Sequence, residues 1–130
     1  MVRNGAPTVY DAFSLSCPSH KVMELISSKW TLLIICSLRD GVCRFGEMSR
    51  VVEGISPKML TQTLRNLEES GIVSRKVFPV VPPRVDYELT PLGRELVGLV
   101  ASIRDWAQTH VPQIEAARVA HSQMISMSAE

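Results

Sequence analysis

The segment Ile55-Ser-Pro-Lys-Met-Leu-Thr-Gln-Thr-Leu-Arg-Asn-Leu-Glu-Glu-Ser-Gly71 decides the fold, because it carries the signals of one helix with both of its ends. Ser56 is a suitable N-cap, since a serine hydroxyl accepts a hydrogen bond from a backbone N–H of the first turn. Pro57 then occupies the first helical position, where its missing N–H costs nothing. Gly71 fits the left-handed residue that follows many helices. We therefore predict a helix over residues 56–70.

This helix has two chemically different faces. At about 100° per residue, Leu60, Leu64 and Leu67 form one apolar stripe that suits a core. The other side carries groups able to contact base edges and phosphates. They are Lys58, Thr61, Gln62 and Arg65. An ordinary amphipathic surface helix has the same pattern, so the neighbouring segments must decide between the two interpretations.

The composition restricts the class of protein. The 130 residues suffice for one domain with a modest core. A net charge of +1 is not the balance of a chain that binds nucleic acid by charge alone, so any positive surface must be local. The longest apolar run, residues 32–36, is too short to span a bilayer, and residues 1–7 lack the apolar segment of a signal peptide. We expect a cytoplasmic protein that does not enter membranes.

Cysteine and histidine spacing gives no sign of a metal site. Cys17, Cys36 and Cys43 are odd in number and lack a CxxC spacing, which argues against a disulfide framework and a zinc site. The three histidines lie far apart in sequence, so we expect neither a metal nor another cofactor. No nucleophile is paired with a base in the sequence, so we do not expect an enzyme.

The segments before residue 55 predict three further helices. Residues 20–27 and 29–39 have apolar residues at helical spacing, and the second segment is apolar nearly all round. A short helix is predicted over residues 44–51, and Gly54 breaks it. Two helices joined by a short glycine-containing turn, the second with a polar outer face, indicate a helix-turn-helix.

After Gly71 the hydrophobic period changes from helical to alternating. Residues 73–78 and 85–89 are predicted strands, and the prolines between them cannot continue a ladder. The result is a hairpin with a stiff tip that carries Arg84. A helix-turn-helix followed by such a hairpin is a winged helix. Because a wing normally lies beside the DNA backbone or minor groove, Lys76 and Arg84 are expected phosphate contacts.

A long helix is predicted to begin at Thr90-Pro91, with Thr90 as its N-cap. Its apolar residues follow at spacings of 4, 3, 4, 3 and 4, as in the seam of a helix pair. They are Leu92, Leu96, Leu99, Ile103, Trp106 and His110. We expect this seam to pack on a second copy of the chain; packing on the protein's own first helices is the alternative. Pro112 is expected to bend or end the helix.

The expected fold is mainly α with a small β-hairpin: a winged helix-turn-helix with N- and C-terminal dimerisation helices. We divide the chain into a flexible N-terminal arm (1–16), the winged domain with its dimerisation helices (17–111) and a C-terminal helical tail (112–130).

The order of these motifs also supports a family resemblance. The matching segments are Cys17-Pro18 and residues 28–34, 44–48, 54–61, 64–68, 71–73, 81–87 and 89–93. Together they resemble the HxlR-type winged helix-turn-helix transcriptional regulators, whose architecture is similar to that of the MarR regulators. The resemblance implies a homodimer that binds a double-stranded DNA operator. It also implies that helix 56–70 enters the major groove and that the wing around Arg84 touches the minor groove. We expect a repressor, the commoner outcome for this architecture.

The candidate DNA contacts have simpler alternatives. Gln62 can pair with adenine and Arg65 with guanine. Solvation is the alternative for each, and for Arg65 an exposed ion pair with Glu68 or Glu69 also competes. Ser56 is first an N-cap and only second a phosphate donor.

Cys17 resembles the N-terminal cysteine that some family members use to sense quinones, electrophiles or oxidants. A cysteine just before a helix N-terminus lies near the positive end of the helix dipole, which favours the thiolate. Cys17 is thus a candidate redox sensor. A small, half-buried residue at a helix start is the alternative.

Two other functions remain open. The same DNA-binding fold would be controlled by a small aromatic ligand if a dimer cavity were lined by Phe13, Trp30 and Trp106. Alternatively, the winged helix would bind proteins and show no salt-dependent DNA affinity.

Overall fold

The computed structural model describes residues 10–129, so residues 1–9 of the predicted arm and Glu130 lie outside the described residues. The elements in chain order are α1 (Ser19–Ser27), α2 (Lys29–Ser37), β1 (Cys43–Arg44), α3 (Phe45–Val51), α4 (Pro57–Glu69), β2 (Val73–Phe78), β3 (Arg84–Leu89) and α5 (Pro91–Ser128). The predicted class, a mainly helical winged helix-turn-helix, is confirmed.

Helix α4 has the two ends that the sequence predicted. The Ser56 hydroxyl accepts a hydrogen bond from the Met59 N–H at 3.0 Å, and Gly71 has a φ of +74°. Ile72 N–H closes the last turn by donating to the Leu67 carbonyl at 2.9 Å. The apolar stripe of α4 is buried, at 1% exposure or less: Leu60, Leu64 and Leu67.

One core connects these elements. Helices α2, α3 and α4 place their apolar faces against one another and against the inner face of the sheet and the first turns of α5. The fully buried side chains at its centre are Ile34, Ile35, Leu38, Met48, Leu60, Leu64, Leu67, Val73 and Val100. Because α4 contributes one side to this core, its other side must face solvent.

The sheet has three strands, in the order β1-β3-β2, and not the two strands of the predicted hairpin. The additional strand β1 pairs antiparallel with β3, so that Cys43 lies opposite Tyr87 and Arg44 opposite Asp86. Two residues are too few to produce an alternating pattern, which is why the sequence did not indicate β1. Its effect is to bring Arg44 to the side of the wing.

Helix α5 continues through Pro112 and is 38 residues long, or about 57 Å at the usual rise per residue. A proline in a helix removes one backbone donor, and the hydrogen bonds on either side of it continue the helix here. Hence the predicted domain boundary at residue 111 does not coincide with the end of an element. Only the first part of α5 enters the core, through Gly93 and Val100.

The start of α5 is held by the carbonyl of Ile72. The Thr90 N–H donates to this oxygen at 3.0 Å, and the Thr90 hydroxyl donates to the Gly71 carbonyl at 2.6 Å. The same hydroxyl accepts from the Gly93 N–H at 3.1 Å, which confirms the predicted N-cap. Gly93 lies so close to the Ile72 carbonyl that a Cβ at position 93 would overlap it.

We predict that Gly93→Ala lowers the free energy of unfolding by about 1–3 kcal/mol, because the new methyl group meets backbone that cannot rotate away. Gly98→Ala is the matched control on the same helix, since a Cβ there meets nothing within 4 Å. It should raise the free energy of unfolding by up to about 1 kcal/mol through better helix propensity. Urea unfolding of both variants at one protein concentration checks this, and a Gly93→Ala variant as stable as the wild type would contradict it.

Candidate nucleic-acid interface

The four polar residues predicted on the outer face of α4 are all exposed: Lys58, Thr61, Gln62 and Arg65. They lie opposite the buried leucines, so they form one solvent-facing surface. The Gln62 side-chain amide donates to Asn66 Oδ1 at 2.9 Å. This bond holds the amide along the helix and uses one of its two N–H donors.

Glu68, one of the two carboxylates expected to compete for Arg65, pairs with Arg75 instead. Glu68 Oε1 lies 3.6 Å from Arg75 Nε on strand β2. Among residues 10–129, Arg65 has no carboxylate oxygen within salt-bridge distance. Its guanidinium lines an open groove between α4 and the sheet, together with Thr61 and Tyr87. Arg65 is therefore accessible to an external acceptor.

The sequence predicted Arg84 at the wing tip. In the structure it is the first residue of β3 and lies opposite Phe78. Its Nε and Nη2 donate to the two carboxylate oxygens of Asp86 at 3.0 and 2.9 Å. The guanidinium also lies 4.6 Å from the Phe78 ring centre. The spacing in Arg84-Val-Asp86 would have indicated this pair, because residues two apart in a strand share a face.

Asp86 is a buried carboxylate surrounded by cations. Its residue is 8% exposed, and Arg44 Nε lies 4.0 Å from its Oδ1. The hydrogen bonds from Arg84 lower the pKa of Asp86, and the charges of Arg44 and Lys76 act in the same direction. Lys76 itself is exposed, with its Nζ 5.1 Å from the Phe78 ring centre.

The cysteines have different surroundings. Cys17 lies two residues before α1, is 8% exposed, and has its Sγ 3.0 Å from the Ser19 hydroxyl. Cys43 is also buried, and burial is the main cause that raises the pKa of its thiol, with the charge of Glu47 second. A raised pKa keeps the Cys43 thiol protonated and less reactive.

The predicted ligand cavity between three aromatic rings lies at a dimer interface, so it stays a prediction for a single chain. Phe13 is 99% exposed, because residues 11–17 form turns held by local hydrogen bonds, such as that from the Phe13 N–H to Asp11. Trp106 is 58% exposed and stacks on His110, and Trp30 is half-buried. A mainly apolar groove of about 290 Å³ lies instead between α1 and the start of α5.

No helix among residues 10–129 is long and apolar enough to cross a membrane. Within the same range, no three His, Cys, Asp or Glu side chains are grouped closely enough to hold a metal ion.

The chain belongs to the HxlR-like helix-turn-helix family, whose model matches residues 25–115. It is 42% identical over 106 residues to YtfH of Escherichia coli K12, an uncharacterized HTH-type transcriptional regulator, covering 82% of this chain and 84% of YtfH. A solved structure of the transcriptional regulator ytfH from Salmonella typhimurium is 43% identical, with a TM-score of 0.80 over 85% of this chain and 98% of that one. These relatives are regulators, which confirms the expectation of a protein that is not an enzyme.

The redox regulator HypR in its oxidized form has the same fold. It is 39% identical to this chain and superposes with a TM-score of 0.66, covering 72% of this chain and 96% of HypR.

The pair between Arg84 and Asp86 should make part of the stability sensitive to acid. Because Arg84 lowers the pKa of Asp86, the stabilisation is fully present above the ordinary aspartate pKa and is lost as the pH falls through the lowered value. We predict that wild type exceeds Asp86→Asn in free energy of unfolding at neutral pH, and that this difference shrinks between about pH 5 and pH 2. Urea unfolding across this range checks it.

The matched control is the same comparison in an Arg84→Ala background, where the main cause of the shift is absent. In that background, the difference in free energy of unfolding between the proteins with Asp86 and with Asn at position 86 should vary less with pH. A difference between wild type and Asp86→Asn that stayed constant with pH would contradict the prediction.

Proposed function

We propose that this protein is a dimeric, sequence-specific DNA-binding transcriptional regulator that acts in the cytoplasm as a repressor. The observation that carries the proposal is the exposed polar face of α4 (Lys58, Thr61, Gln62, Arg65) opposite its buried leucines. The second helix of a helix-turn-helix enters the major groove with such a face. The wing beside it offers Lys76 and Arg84 to the DNA backbone.

The chemistry of each side chain suggests its role. The Gln62 amide suits the donor and acceptor of adenine, and the Arg65 guanidinium suits the two acceptors of guanine. Thr61 lies beside Gln62 and Lys58 about one turn before it, and both side chains suit phosphate oxygens. Ser56 occupies the N-terminus of α4, where the backbone N–H groups and helix dipole favour a phosphate.

Dimerisation is supported by the surface of α5. Gly93 and Val100 are buried in the protein's own core, and the seam residue Leu96 packs against the same core. Most of the predicted seam lies outside this buried face. Four seam residues are between 43% and 58% exposed: Leu92, Leu99, Ile103 and Trp106. A second copy of the chain would cover this apolar stripe, and two-fold dimers are the usual readers of duplex DNA.

Cys17 is the proposed sensor of electrophiles or oxidants, and its place before α1 supports this role. The thiol sulfur would bond to a quinone ring carbon while its proton passes to the quinone oxygen. With diamide, Cys17 and a second thiol would form a disulfide, and their two hydrogens would pass to the N=N bond of diamide, which is reduced to a hydrazine. The similarity to HypR, which is named a redox regulator, supports a thiol signal.

We predict that Gln62→Ala and Arg65→Ala each lower the affinity for the operator by at least about tenfold, the discrimination that one bidentate base contact provides. Both side chains are exposed, so the fold and the dimer should be unchanged. Fluorescence anisotropy with the DNA upstream of the protein's own gene, compared with random DNA, measures the effect.

Arg118→Ala removes the same charge from the exposed end of α5 and is the control. If Arg65→Ala lost no more affinity than Arg118→Ala, α4 would not be the helix that contacts bases. If the wild type bound the DNA upstream of its own gene no more tightly than random DNA, that DNA would not contain its operator.

We predict that treatment with a quinone or diamide lowers the operator affinity of the wild type and leaves that of Cys17→Ser unchanged, because only Cys17 transmits the signal. Cys36→Ser retains Cys17 and should respond as the wild type does. Titrations at one salt concentration measure all three proteins. Equal binding of treated and untreated wild type would reject the thiol and leave a ligand at the dimer interface as the signal.

A further inference from the structure

Asp86 is the centre of a charged cluster on one face of the wing. It lies on the middle strand, β3, with Arg44 of β1 and Lys76 of β2 as its two register partners. Directly opposed residues of antiparallel strands project to the same side of a sheet. Arg84, two residues before Asp86, shares that side. One carboxylate therefore stands between three cations from three strands.

The contact between Asp86 and Arg84 fixes the orientation of the guanidinium. Arg84 uses Nε and Nη2 for the two carboxylate oxygens, and one face of the group lies against Phe78. A guanidinium has five N–H donors, so three of them, on its outer edge, remain for another acceptor. The Arg84 side chain is 41% exposed while that of Asp86 is 10% exposed, so the outer edge is accessible and the anchor is not.

The charges of the cluster suit a phosphodiester. The cluster of three cations and one carboxylate has an excess of two positive charges, which Glu88 on the same side of β3 reduces to one for the whole face. The Arg44 side chain, which is 55% exposed, approaches the same Asp86 carboxylate that holds Arg84. A phosphodiester presents two oxygens and one negative charge, which match the planar fork of an arginine.

We propose that Asp86 is a positioning residue that holds Arg84, with Arg44 and Lys76 beside it, as a preformed site for one phosphate of the DNA backbone. The inference rests on the proposed function. Fixing the guanidinium before binding reduces the side-chain entropy that binding would otherwise cost. Arg44 thereby becomes a DNA contact, and Asp86 acts on DNA only through its cationic neighbours.

This role and simple electrostatics predict opposite effects for Asp86→Asn. The substitution makes the wing more positive by one charge, which by charge alone would tighten DNA binding and steepen its salt dependence. If Asp86 positions Arg84, the substitution releases the guanidinium and weakens binding. Glu88→Gln is the matched control, because Glu88 is an exposed carboxylate on the same strand and the same side. It changes the charge equally without touching Arg84.

The experiment measures operator affinity and its salt slope for the full chain, at a temperature where circular dichroism shows each variant folded. We expect Asp86→Asn to bind about tenfold more weakly, the usual effect of losing one charge-assisted contact. Glu88→Gln should bind as tightly as the wild type or more tightly. Arg84→Lys keeps the charge but not the fork, and should lose affinity like Asp86→Asn.

A double-mutant cycle decides whether Asp86 acts through Arg84. In an Arg84→Ala background, Asp86→Asn should cause no further loss of affinity, because the group that it positions is absent. An equal loss in both backgrounds, or wild-type affinity for Asp86→Asn, would overturn the proposal. If Asp86→Asn does not fold, Arg84→Lys carries the test, and wild-type affinity for that variant would overturn it.

Wild-type binding separates this inference from the function on which it rests. A wild type that prefers the operator, together with an Asp86→Asn variant that binds equally well, overturns the positioning role alone. A wild type without preference for the operator overturns both.

Discussion

The backbone of Ile72 joins the three parts of this molecule. Its N–H closes the last turn of α4 by donating to Leu67, and its carbonyl accepts from Thr90 at the start of α5. Gly93 rests against the same carbonyl with no room for a side chain. Because strand β2 begins at the next residue, the helix proposed to face DNA, the wing and the proposed dimer helix share one junction. In the proposed function, a displacement of α5 would reach α4 through this packed backbone, since close-packed contacts do not deform gradually.

The distribution of charge explains how a chain with a net charge of only +1 can suit DNA. The outer face of α4 carries Lys58 and Arg65, and one side of the three-stranded sheet carries Arg44, Lys76 and Arg84 around Asp86. A low total charge limits binding to arbitrary DNA, because that binding depends on the number of phosphates neutralised. In the proposed function, affinity then depends on positioned groups more than on total charge.

Helix α5 has two apolar surfaces that differ in burial. The face with Gly93 and Val100 is buried in the core, whereas the stripe with Leu99 and Trp106 is exposed to solvent in a single chain. An isolated long helix gains most of its stability from packing an apolar face, so the exposed stripe supports a second copy as its partner. The apolar groove between α1 and α5 lies beside the start of this stripe, near the helix that follows Cys17.

The sequence by itself determined the features that neighbouring residues control. The ends of α4 and the start of α5 follow from Ser56, Gly71 and Thr90, because capping bonds form within a few residues. The polar and apolar faces follow from helical periodicity. Only the tertiary structure decided strand β1, which is too short for a pattern and exists because β3 offers it hydrogen bonds. It also brought Arg44 and Lys76 to the Asp86 carboxylate, because these residues lie far apart in sequence and meet only when the three strands pair.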